Sequence, residues 1–163
     1  ELAGLDTGPL VGHLAAWNYF MAIDTPENAD FIAKWKAFIG DDKRVTNDPM
    51  EAHYIGFNMW IKAVEASGST SADVVIDNLV GVSVPNLTGG DSAMMPNHHI
   101  TKPVLIGEIQ DDGQFDVVFD TEAVAGDAWS DFLPGSKAIE ADWVKLNCGN
   151  YNTKSKSCSG QNY

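Results

Sequence analysis

Four short runs in this chain combine residue types that could do chemistry. Asn97-His98-His99 offers two imidazoles, the commonest metal-ligating group. Adjacent residues on an extended segment point to opposite faces, so the pair is badly placed to share one ion. The acids Asp91, Glu108, Asp111 and Asp112 would help only if the fold gathered them, and loop histidines with local hydrogen bonds are the simpler reading. Asp111-Asp112-Gly113-Gln114-Phe115-Asp116 has the acids of a calcium loop but neither the alternating ligand positions nor the closing Glu. Asp-Gly between two strand-like runs is a hairpin signal instead. Asn86-Leu87-Thr88 fits the N-glycosylation pattern, which marks an acceptor only on an exposed segment of a secreted protein.

The fourth run, Trp17-Asn18-Tyr19-Phe20, points to binding. It falls where an apolar segment gives way to a loop, and ligands of open α/β sheets sit at strand ends. Trp17 could wall a small planar polar solute, with Asn18 and Tyr19 supplying polar groups; plain core and hinge aromatics are the alternative. No nucleophile elbow, P-loop or zinc-protease motif is present, and no carboxylate couple stands out for acid–base work. A non-catalytic protein without metal or cofactor is expected.

The elements that must position this run follow from periodicity. Leu10–Phe20 is mostly apolar and short and reads as a buried strand. Thr25-Pro26-Glu27 announces a helix by cap, first-turn proline and first-turn acid. Phe31, Ile32, Trp35, Phe38 and Ile39 give it an apolar face, and Gly40 ends it. Asp48-Pro49 repeats the device for a helix to Ser67. Its stripe is Met50, Tyr54, Phe57, Ile61 and Val64, widened by Ile55, Met59 and Trp60. A shorter helix runs from Ser71 to Leu79. Period-two runs follow at Val82–Val84, Val104–Gln110 and Phe115–Phe119, the last two joined as a hairpin, and a helical turn is read around Ser136 to Val144. One strand, three helices and a hairpin make an α/β set too poor in strands to cover its own helices. An incomplete core with exposed apolar surface along the second helix is therefore expected.

Charge narrows the partners. Acidic residues number 23 and basic residues 10 in 163, a net charge of −13. That disfavours nucleic acid, which needs clustered Lys and Arg, and docking on an anionic bilayer. No run is long and apolar enough to insert in a membrane. The sequence opens Glu1-Leu2-Ala3 without Met, as a processed chain or a piece of a longer one would.

Three stretches carry a family resemblance: Gly12-His13-Leu14-Ala15-Ala16-Trp17-Asn18-Tyr19-Phe20 with Asp24-Thr25-Pro26-Glu27-Asn28, Thr46-Asn47-Asp48-Pro49-Met50-Glu51-Ala52-His53-Tyr54-Ile55-Gly56-Phe57, and Met95-Pro96-Asn97-His98-His99 continuing through Lys102–Val118. They resemble the urea ABC-transporter substrate-binding proteins, of the type I periplasmic-binding fold shared with short-chain amide and branched-chain amino-acid receptors. The resemblance runs over roughly residues 1 to 145. It implies a partial fold of that type, corresponding to the C-terminal portion of a receptor in which two α/β lobes close on a solute. It further implies urea or a short amide as ligand, an ABC permease as partner and an extracytoplasmic location. The alternative is an accessory subunit derived from the fold, its old inter-lobe surfaces covered by other proteins. Residues 146–163 depart from the family as a polar tail.

That tail holds the two cysteines, Cys148 and Cys158, among Gly, Asn, Ser and Lys. It has no His and no second Cys pair, which disfavours zinc. A disulfide between them is expected, with two free thiols as the alternative; closing so short a loop stabilises by roughly 2–3 kcal/mol in the chain-entropy model. Peptide mapping without reductant should recover one fragment containing both cysteines. Two separate fragments, each alkylated without reduction, would show free thiols.

Overall fold

Each helix begins and ends where a local backbone device places it. The structure, a computed structural model, describes residues 2, 4–127, 150–152, 155 and 157–159. Helix α1, Pro26–Ile39, starts at Thr25, whose Oγ1 accepts from Asn28 N at 3.2 Å, and stops at Gly40 in the left-handed conformation. Helix α2, Asp48–Ser67, is capped by Asn47, whose Oδ1 accepts from Met50 N at 3.1 Å. The cap thus lies one residue before the expected Asp48, which becomes the first helical residue. There its charge complements the positive end of the helix dipole. Helix α3 is Ala72–Leu79.

The strands are β1 Leu14–Trp17, β2 Ser83–Pro85, β3 Asp91–Ala93, β4 Leu105–Ile109 and β5 Phe115–Asp120, with β6 Asn150–Asn152 and β7 Ser157–Ser159 further on. An antiparallel sheet has the order β1-β4-β5, β2 pairs with β3, and β6 pairs with β7. This is the expected mixed α/β set of a strand, three helices and a hairpin, with the β4–β5 turn at Asp111-Asp112-Gly113. In that turn Asp112 Oδ1 accepts from Gln114 N at 2.8 Å, the self-bonding that makes Asp a turn former.

Three expectations are corrected. Residues 8–10 form a 3₁₀ turn, so β1 is shorter than Leu10–Phe20, and it lies at the sheet edge rather than buried. Burial begins only beyond it, at Tyr19 and Phe20. Strand β3 was not visible in the sequence, because Asp91-Ser92-Ala93 has no apolar alternation; the glycines at 89 and 90, at φ 89° and 130°, turn the chain back onto β2. Third, α2 buries Glu51, Ile55, Met59 and Ala63, one position round from the expected stripe. Ile55 and Met59 meet Val84 of β2, with Leu79, Val82, Met94 and Ile100 packed against them. Tyr54, Phe57 and Trp60 are left exposed, Phe57 at 61%, with the Phe57 and Trp60 rings stacked at 5.7 Å.

The chain divides into Glu1–Gly126 and Asp127–Tyr163. In the second unit Tyr151 pairs with Cys158 across β6 and β7. The expected boundary at 145 to 146, the helical turn at Ser136–Val144 and Cys148 lie outside the described residues, and with Cys148 the proposed disulfide.

Two substitutions check this packing. Met59→Ala should cost about 2–5 kcal/mol through lost contacts and a residual cavity. Asn47→Ala should cost about 1 kcal/mol through the lost cap. Urea-free guanidinium melts would measure both, and a smaller loss for Met59→Ala than for Asn47→Ala would contradict the assignment of the core.

Candidate functional site

Trp17, the last residue of β1, is held opposite Leu105 of β4, and the chain then turns inward. Asn18 Nδ2 donates to Pro103 O at 2.6 Å, fixing the strand end. Tyr19 is 2% exposed. Its hydroxyl donates to Asn28 Oδ1 at 2.7 Å and lies 2.6 Å from Thr46 Oγ1. Asn28 is fully buried in α1, and its Nδ2 donates to Met21 O at 3.0 Å and Ile23 O at 2.7 Å. The buried side-chain polar atoms of Tyr19, Asn28 and Thr46 thus satisfy one another or nearby carbonyls, as a buried network must to be stable. Burial pushes the Tyr19 phenol up to about 12; the hydrogen bonds with Thr46 and Asn28 oppose the rise and the Glu51 charge adds to it.

Beside this network lies a cleft of about 50 Å³. Trp17, Tyr19, Phe20 and Phe115 give it aromatic walls, and Thr46, Asn47, Asp48 and Gln114 give it polar groups. The Phe20 and Phe115 rings are 4.5 Å apart. Gly107 permits that pairing, since a Cβ there would stand 2.8 Å from the Phe20 ring. Among the described residues, no Lys, Arg or His lines the cleft. Of the three residues expected to form a site, the structure brings Trp17 and Tyr19 to this cleft, while Asn18 points to Pro103 O. Thr46, Asp48 and Gln114 escaped the sequence reading because they look like helix-cap and turn residues, and only the fold carries them to Trp17.

Behind the polar edge is a buried ion pair. Glu51 of α2 is fully buried and Lys102 is 8% exposed. Lys102 Nζ donates to Glu51 Oε2 and lies 3.9 Å from Asp48 Oδ1. Burial raises the Glu51 carboxyl above the ordinary range, against the pull of Lys102, and the Asp48 charge adds to the rise. Two further candidate sites resolve into local structure. His99 N donates to Asn97 Oδ1 at 3.1 Å within a loop, and among the described residues no group of three or more His, Cys, Asp or Glu could hold a metal. Asn86 is buried with its Oδ1 accepting from Thr88 N and Oγ1, so a sugar could not reach it in the folded chain. No helix among the described residues is long and apolar enough to cross a membrane.

Comparison with known proteins matches residues 1–135 to the periplasmic binding protein domain. A curated relative, limonene hydroxylase of Geobacillus stearothermophilus, is 32% identical over 111 residues, which are 68% of this chain and 20% of that protein. Among solved structures, the fold is similar to the solute-binding protein of an ABC transporter from Rhodopseudomonas palustris BisB5 in complex with 3,4-dihydroxybenzoic acid. There the TM-score is 0.63 at 20% identity, over 72% of this chain and 33% of that one. A solute-binding protein from R. palustris HaA2 in complex with p-hydroxybenzoic acid gives 0.58 at 26% identity, over 72% and 32%. A branched-chain amino-acid ABC-transporter ligand-binding protein from Burkholderia xenovorans LB400 gives 0.58 at 17%, over 68% and 30%. The chain therefore spans a fifth of the curated relative and about a third of these solved ones.

Removing one partner of the buried pair, by Glu51→Leu or Lys102→Met, should cost about 3–5 kcal/mol, while the double variant should lie near the parent or above it. The sign with pH follows from the raised Glu51 carboxyl. The folded state binds that proton more tightly than the unfolded state, so the contribution is full below the ordinary glutamate range and is lost as pH rises through the raised value. Melts across the acid to neutral range should show the double variant gaining on the parent as pH rises; the opposite trend would contradict the direction given for Glu51.

Proposed function

The chain belongs to the periplasmic binding protein domain family, and on that premise we propose that it is the C-terminal portion of a non-catalytic solute-binding protein. Its solute is a small neutral amide such as urea, passed to an ABC permease outside the cytoplasm. The observation that carries the choice of ligand is that no cationic side chain is among the described residues lining the cleft. A buried carboxylate ligand needs a charged or strongly donating partner. The helix dipole at the start of α2, which could attract an anion, already faces Asp48 and Glu51 of its own first turn. A neutral planar amide needs no such charge; it needs flat apolar walls and a few fixed polar groups. In this reading Trp17 is the wall, Tyr19 backs the cleft and Asn18 fixes the strand end that presents both.

A second reading, an accessory subunit that no longer binds solute, draws on the exposed aromatic face of α2 at Tyr54, Phe57 and Trp60. A contiguous apolar patch marks a surface that another protein covers. The two readings differ in what the cleft does.

Titration followed by NMR separates them and suits a weak ligand. Urea and formamide should shift the Trp17 indole and Gln114 amide resonances, benzoate should not, and Trp17→Ala should weaken the urea response about tenfold, the loss of one good stacking wall. Benzoate shifting the same resonances more tightly than urea would overturn the neutral-amide assignment. Silence to every solute would favour the accessory subunit.

A further inference from the structure

The buried network around Tyr19 fixes the direction of a hydrogen bond that distance alone leaves open. Asn28 Nδ2 donates to two carbonyls, Met21 O and Ile23 O, so the amide cannot be turned over and Oδ1 must be the acceptor. The Tyr19 hydroxyl has one proton and gives it to Asn28 Oδ1 at 2.7 Å. That phenol stays protonated across the neutral range. With its proton spent, Tyr19 Oη can only accept at its second contact, so Thr46 Oγ1, 2.6 Å away, must be the donor there. A threonine hydroxyl has one proton and two lone pairs. Thr46 has therefore committed its proton inward to Tyr19 and keeps only acceptor capacity for the cleft it lines. Asp48, on the same wall, is an acceptor when ionised.

We propose that Thr46 is a specificity-determining residue of the cleft: it accepts a hydrogen bond and cannot offer one, so it selects solutes that present N–H groups and rejects carbonyl compounds of the same shape that lack them. The inference rests on the amide-binding reading of this cleft and refines it. Tyr19 and Asn28 act through Thr46 by fixing where its proton lies; they are positioning residues.

Urea, acetamide and acetone test this directly, being close to one another in shape and differing in N–H count. Titrated into the chain and followed at the Trp17 indole, urea and acetamide should bind at least about tenfold tighter than acetone, because acetone leaves the buried acceptor unpaired. Thr46→Ser should keep the discrimination and Thr46→Val should reduce it severalfold. Tyr19→Phe, which frees the Thr46 proton, should also relax it by letting the hydroxyl turn and donate to acetone. A thermal melt checks that each variant is folded, and Thr46→Ser preserves the test if Thr46→Val is not. A second readout needs no ligand: the Thr46 hydroxyl proton should be protected from exchange and show a nuclear Overhauser effect to the Tyr19 ring. Acetone binding as tightly as urea, with the amides still bound at the cleft, would overturn the role of Thr46 and leave the amide reading standing. No response to either amide would overturn both. A Tyr19 proton found on the side of Thr46 would overturn the proton order itself.

Discussion

The ion pair between Glu51 and Lys102 is the constraint on which the rest of the described fold turns. It joins residues 51 positions apart and lies almost wholly out of water. Two charges cannot be buried at tolerable cost unless each finds the other. That requirement fixes α2 against the segment entering β4. Glu51 heads the row continued by Ile55, Met59 and Ala63, so setting Glu51 inward sets the rotation of the whole helix. Tyr54, Phe57 and Trp60 are turned outward as a consequence. The same segment brings Pro103 to Asn18 and Leu105 to Trp17, so the pair also governs where the strand end that bears the aromatic wall must lie.

The cleft inherits its chemistry from this arrangement. The first turn of α2 supplies Asp48 on the cleft side and Glu51 on the core side, and Asn47 spends its Oδ1 on the cap. Among its described lining residues the cleft thus has acceptors and no cations. The Tyr19–Asn28–Thr46 network adds direction to that bias, because its protons are all assigned within the chain. The aromatic walls of the cleft are held in place by Gly107 and the Phe20–Phe115 pair.

Much of the fold was legible because local devices mark it. Thr25-Pro26 and Gly40 bounded α1, since caps act within a few residues of themselves. The hairpin was legible from Asp112-Gly113 for the same reason. The face α2 buries was not, because eight large apolar side chains cover most of that helix, and the deciding residue is a glutamate whose partner comes much later in the chain. Strand β3 was hidden by its polar composition, and β1 was overextended because an apolar run does not reveal which residues lie at a sheet edge. At the site, aromatic residues before a loop were enough to single out Trp17 and Tyr19. Nothing local could reveal that Asn18 is taken by Pro103, or that Thr46 and Gln114 face the same cleft, since those contacts depend on long-range pairing.

A crystal structure of this chain grown with urea tests the central claim most directly. The account predicts one urea in the cleft, flat against the Trp17 ring, with an amino group toward Thr46 Oγ1 and the Tyr19–Asn28 hydrogen bond unbroken. Urea seated with its carbonyl oxygen on Thr46 and its amino groups elsewhere, or an empty cleft at saturating urea, would contradict it.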